Sequence, residues 1–171
     1  SSPDEARAIY TGKLVLAKDR KSHVNMSQRR RGWLFQRISS KFVGRFENAD
    51  GRTFRLGETT LRFSDPVYHG EEGSELGWVI MLVVQCEEDK AVHASDVQGP
   101  FLEKTLAMIL AEKPDLVIVG GQPLYLSRSK VSVAAIEQGF RNLQEMVRSV
   151  PRTILYHPII RRDPSRNQPS L

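Results

Sequence analysis

Apolar and polar residues recur with two different periods along this chain, and the change of period organises it. Ser2-Pro3-Asp4-Glu5 reads as a helix opening, a capping serine followed by proline and acids, and Thr11-Gly12 ends that helix early. Residues 13–17 (KLVLA) have strand character and residues 19–23 are turn-like. From Ser27 the run SQRRRGWLFQRISS predicts a helix with Trp33, Leu34 and Ile38 on one face. Residues 42–47, 53–56 and 60–63 then alternate with period two. Asn48-Ala49-Asp50-Gly51 reads as a hairpin turn between the first two, and Gly57-Glu58 separates the second from the third. The expectation is a meander with one buried face.

The second half has longer apolar runs and helical periods. Residues 76–86 (LGWVIMLVVQC) suit one central strand covered on both faces, and Glu87-Glu88-Asp89-Lys90 turns the chain back into a strand over 91–95. Pro100 is expected to open an amphipathic helix, FLEKTLAMILAE, which Pro114 closes. Residues 115–119 (DLVIV) read as a buried strand ended by Gly120-Gly121, and residues 122–130 as a loop. A helix over 132–147 would place Ala135, Ile136, Phe140, Leu143 and Val147 on its apolar side. Residues 152–155 form the last strand and run into Tyr156-His157-Pro158. Strands followed by strand–helix–strand–helix–strand predict one α/β layered domain over 1–171, with a basic, proline-containing tail at 161–171 expected to be flexible.

Composition narrows the class. A chain of 171 residues with 40% hydrophobic and 26% charged content can bury one core and resembles an ordinary soluble protein. Its longest apolar run, residues 76–84, is far below the ~20 residues of a membrane helix, and SSPDEARAIY lacks the features of a signal peptide. The single cysteine, Cys86, excludes an internal disulfide and a Cys-rich zinc site. These features suit a reducing cytoplasm and no membrane. The chain starts on serine, so a processed product or part of a longer chain is expected. The net charge of +5 permits an anionic partner. Arg29, Arg30, Arg31 and Arg37 are its densest positive charge, either a solvated helix face or an edge that binds the phosphates of nucleic acid.

Candidate chemistry lies where apolar strands run out. Asp96 in AVHASDVQG ends one such strand, and His69 and His157 end two others. Each alone suits a turn, a cap or a structural histidine. Together they form a His/Asp/His set for a borderline metal such as Zn²⁺, which accepts imidazole nitrogen and carboxylate oxygen. His23 reads as an exposed loop residue, and His93 as a core histidine or one supporting the site. No GxSxG elbow, phosphate-binding Walker loop or GxGxxG dinucleotide loop is present.

The succession DPVYHG, a buried strand pair, VHASDVQGP, helix, KPDLVIVGGQPLYL, long helix and RTILYHPIIRRD resembles the C-terminal half of a metallo-β-lactamase-superfamily hydrolase, closest to a largely archaeal branch. The resemblance covers nearly the whole chain from Tyr10, and HASDVQGP is its most specific phrase. It implies an αββα sandwich, or the C-terminal half of one, with the site at one edge of two sheets. It further implies that His69 completes a first metal site, that Asp96 bridges two metals and that His157 serves the second. One or two Zn²⁺ ions are implied, with Fe or Mn as alternatives, generating hydroxide near neutral pH to attack an ester-type or phosphodiester substrate. The superfamily's His-x-His-x-Asp-His segment is absent from these residues. It is expected before Ser1 or on a separate N-terminal half; otherwise the chain is a relative with an incomplete, non-catalytic site. Where relatives tend to carry an Asp-His-His run, this chain has Tyr156-His157-Pro158.

Overall fold

The computed structural model describes residues 3–73, 75–121 and 132–156. Its elements are α1 (Pro3–Tyr10), β1 (Leu14–Ala17), α2 (Met26–Ser39), β2 (Arg45–Asn48), β3 (Thr53–Leu56), β4 (Thr59–Phe63), β5 (Val67–Tyr68), β6 (Trp78–Val79), β7 (Leu82–Cys86) and β8 (Asp89–Ala94). A 3-10 turn over Ser95–Val97 follows, then α3 (Glu103–Ala111), β9 (Leu116–Gly120), α4 (Val133–Ser149) and β10 (Arg152–Tyr156). The α/β class expected from the pattern holds. Six strands form one mixed sheet in the order β10-β9-β8-β7-β4-β3, and β1-β2 and β5-β6 form two small sheets.

Strands β8, β9 and β10 are parallel, and β7, β4 and β3 extend the sheet from β8 in antiparallel pairs. A parallel step needs a crossover, which α3 and α4 supply. One face of the sheet carries the core. Val83, Val92, Ala94, Val117 and Val119 are buried there with Leu106 and Ile109 of α3 and Leu143 and Met146 of α4. Ile109, Val117, Val119 and Met146 are completely inaccessible.

Four expectations need correction. The three-strand meander does not form: β2 pairs parallel with β1, and only β3 and β4 make a hairpin. Asp50 is the reason. Its carboxylate accepts the Asp19 amide at 2.9 Å and the Lys18 ammonium at 3.2 Å, while the Ala49 amide donates to Ala17 O at 2.9 Å. Those bonds hold β2 to β1 rather than turning it back along β3. Second, residues 76–86 are two strands, not one. Ser64 accepts the Met81 amide through Oγ at 2.9 Å and donates its own amide to Met81 O at 3.0 Å, breaking the run before β7.

Third, α4 buries Ile136, Gly139, Asn142, Leu143 and Met146, leaving Phe140 and Val147 exposed. The face is rotated because Asn142, 2% exposed, donates to Pro100 O at 2.9 Å and Phe101 O at 3.3 Å. Pro100 and Phe101 lie buried before α3 and do not open it. Fourth, α2 leaves Trp33 and Leu34 exposed, and its packed aromatic is Phe35, in edge contact with Tyr10 and tilted against Phe46. The start of α2 is fixed by a reciprocal capping box between Asn25 and Gln28. Gln28 also donates to Trp78 O at 2.7 Å, tying α2 to β6.

Candidate metal centre

The sheet register decides which chemistry-bearing residues share an edge. Phe63, Leu82, His93, Ile118 and Ile154 are partners in one row across five strands. Beyond that row β8, β9 and β10 run on toward their carboxyl ends. The segment joining β4 to β7, which holds β5, β6 and His69, leaves from the same edge. Asp96 therefore emerges beside Gly120-Gly121 and Tyr156, and His69 lies in the segment that rises off that edge. Three contacts hold this region together. Val67, two residues before His69, and Val97, directly after Asp96, are buried in one core cluster. The His69 amide donates to Gly77 O at 2.9 Å, and Glu71 accepts the Ser132 amide at 2.6 Å where α4 begins.

Asp96 is exposed in the 3-10 turn, at φ −97° and ψ 19°. That is the sparsely allowed bridge region in which active-site residues often sit. Gln98 follows at φ 57°, an uncommon left-handed conformation for a residue with a Cβ, and Gly99 continues it at φ 69°. The side-chain oxygen of Gln98 is buried, with no hydrogen-bond partner among the described residues.

Two further residues lie at this edge: His93, expected to be a core histidine or one supporting the site, and Tyr156, for which no role was expected. His93 is not a core residue. It is exposed on the open face of the sheet and stacks on Tyr156, with ring centroids 6.4 Å apart and 17° between planes. The Tyr156 phenol is pushed above its ordinary value of 10.0, chiefly by burial and further by the negative charge of Asp96. No local sequence signal marks the pair: only the strand order, in which β8 and β10 both flank β9, shows that residues at their ends share an edge.

The donor types at this edge fit a metal in kind. Imidazole and carboxylate are the usual oxygen and nitrogen ligands of Zn²⁺. They do not yet fit in number: among the described residues no three His, Cys, Asp or Glu side chains are grouped closely enough to hold a metal ion. His157 lies outside the described residues, as do the loop expected over 122–130 and the basic tail expected over 161–171. Among the described residues no helix is long and apolar enough to cross a membrane.

No family model matches the chain. It is similar to archaeal proteins named UPF0282. It is 43% identical to one from Thermococcus gammatolerans over 162 residues, covering 94% of this chain and 53% of that protein. A UPF0282 protein of Aeropyrum pernix is 42% identical over 161 residues, covering 90% of this chain and 54% of its own length. One from Methanopyrus kandleri is 37% identical over 158 residues, with 92% and 54% covered. The chain thus spans about half the length of the curated relatives it matches.

Proposed function

We propose that this chain is part of a metal-dependent hydrolase of the metallo-β-lactamase type, acting on an ester-type or phosphodiester substrate. Its frame would be an αββα sandwich of which these residues form the C-terminal half. One observation carries the reading: the register sends Asp96, the segment bearing His69 and the strand leading into His157 to a single edge of the sheet. His69, Asp96 and His157 are the residues that would hold Zn²⁺, Fe or Mn. Such an ion, once bound, supplies Lewis acidity and lowers the pKa of water toward neutrality. The remaining ligands would come from the rest of the polypeptide, because three ligands cannot fill two sites.

The chain's own residues would do the rest. Asp96, fixed by the buried Val97 beside it, presents its carboxylate outward. The Tyr156 phenol stays protonated at neutral pH, so it can hold a proton and donate a hydrogen bond at Oη next to Asp96. His93 stacks behind Tyr156 and limits where its ring can go. Elemental analysis tests the reading, run on the 171-residue chain, on the full-length Thermococcus gammatolerans relative and on Asp96→Asn forms of both. Metal in the full-length protein that falls at least tenfold in the Asn form is expected. Absence of metal from both wild-type proteins sinks the idea.

A second reading, nucleic-acid binding, is favoured by α2. Arg29, Arg30, Arg31 and Arg37 are exposed, and among the described residues none joins an ion pair. Arg37 lies over the exposed Trp33 ring at 5.0 Å. Oligonucleotide binding through this face would weaken steeply with salt; salt-insensitive or absent gel-shift binding removes it.

A further inference from the structure

A cleft of about 310 Å³ opens between the loop after β1 and α2, lined by none of the residues of the candidate metal centre. Lys18, Arg20 and Val24 form its loop side, and Arg31, Gly32 and Phe35 its helix side. Arg20 is the member held most firmly. Gly32 sits in the middle of α2, where glycine ordinarily weakens a helix. A Cβ there would come within 2.8 Å of the Arg20 Cβ, so the missing side chain is what lets Arg20 lie against the helix. Arg20 Nε then donates to Gln36 Oε1 at 2.7 Å, one turn further along α2. Arg20 is half-buried, and its two terminal nitrogens donate to no group among the described residues.

The other polar groups around the cleft are largely spent. The Lys18 ammonium meets Asp50 at 3.2 Å and donates to Ser22 O at 2.8 Å. Asp19 accepts the Lys21 amide through Oδ1 at 2.9 Å, and Gln28 is occupied by Asn25 and Trp78. Arg31 is exposed and, among the described residues, joins no ion pair. What remains is two guanidiniums beside the apolar side chains of Val24 and Phe35. A guanidinium matches phosphoryl oxygens two at a time, and the volume lies at the small end of the ~300–1,000 Å³ of ligand sites. We propose that this cleft binds a small organic phosphate, its phosphoryl group on Arg20 and Arg31 and its organic part against Val24 and Phe35. The carboxylates of Asp19 and Asp50 favour one phosphoryl group over a continuous polyanion, which would have to pass them. The inference needs no metal. It shares Arg31 with the nucleic-acid reading, whereas Arg30 and Arg37 do not line the cleft.

Calorimetric titration of the 171-residue chain with phenyl phosphate, which joins a phosphoryl group to an aromatic ring, tests the proposal. EDTA is kept present so that no bound metal takes up the phosphate. Saturable one-to-one binding is expected at millimolar ligand or below. Arg20→Met should weaken it by about tenfold or more. Arg31→Met should do the same, and its exposed position keeps that variant folded even if Arg20→Met is not. Arg30→Met, outside the cleft, should leave binding unchanged, and inorganic phosphate should bind more weakly because it leaves Phe35 uncovered. No binding, an equal loss in Arg30→Met, or inorganic phosphate as tight as phenyl phosphate overturns the proposal. Binding of a single-stranded oligonucleotide alone, weakened alike in all three variants, also overturns it and assigns these arginines to nucleic acid.

Discussion

The two faces of the main sheet carry the same kinds of side chain in opposite surroundings. Val92, Val117 and Val119 on one face are sealed under α3 and α4, whereas Leu82, Ile118 and Ile154 on the other are half-exposed or exposed. Composition therefore does not distinguish the face that is core from the face left partly exposed among the described residues. What distinguishes them is whether an amphipathic helix follows in the chain to cover the strand. Here α3 and α4 both pack on the same side.

The largest effect that could break this comparison is a buried charge. Val117→Asp puts an unpaired carboxylate at a fully buried position, and the 171-residue chain should lose about 4 kcal/mol or more, enough to prevent folding. Ile154→Asp on the open face should cost less than about 1 kcal/mol in the same chain. Urea unfolding followed by circular dichroism reads both, and equal losses would mean the two faces are not different. Next in size, Ile109→Ala should cost about 2–5 kcal/mol, against less than about 1 kcal/mol for Leu56→Ala at a 49% exposed position.

Asn142→Leu leaves the carbonyls of Pro100 and Phe101 without their donor, and a loss of about 1–3 kcal/mol is expected. Hydrogen exchange should rise over residues 95–101 at the same time, since Asn142 clamps the loop that follows Asp96. No such rise would separate the clamp from the site. Asn25→Ala removes the α2 cap and should cost about 1 kcal/mol, read as a lower urea midpoint.

The smallest effect is a titration. Because the Tyr156 pKa is raised in the folded chain, its contribution is fully present below pH 10.0 and is lost as pH rises through the folded value. Tyr156→Phe should flatten that decline. Asp96→Asn should bring the phenol only part of the way back, since burial is the larger cause. The difference in phenolate absorbance between wild type and Tyr156→Phe, followed against pH, measures both; an ordinary pKa in the folded protein removes Tyr156 from the candidate site.

Much of the second half could be read from the sequence because its signals are local. DLVIV between Pro114 and Gly120, and the long helical period after Ser132, each specify an element without help from distant residues. The pairing of β2 with β1 was not legible, because it depends on Asp50 reaching Asp19 and Lys18 across about thirty residues of sequence. The break inside residues 76–86 depends likewise on Ser64, a polar residue whose partner no periodicity reveals. For the site, Asp96 was visible as a carboxylate at a strand end. Its association with Tyr156 needed the strand order, which places β10 one strand away from β8.

A crystal structure of the full-length Thermococcus gammatolerans relative, searched for metal by anomalous scattering, tests the proposed centre directly. Metal is expected at the carboxyl edge of β8–β10, about 2.0–2.2 Å from ligand atoms of the residues matching His69, Asp96 and His157. Metal bound elsewhere, or none with those three side chains apart, would contradict it.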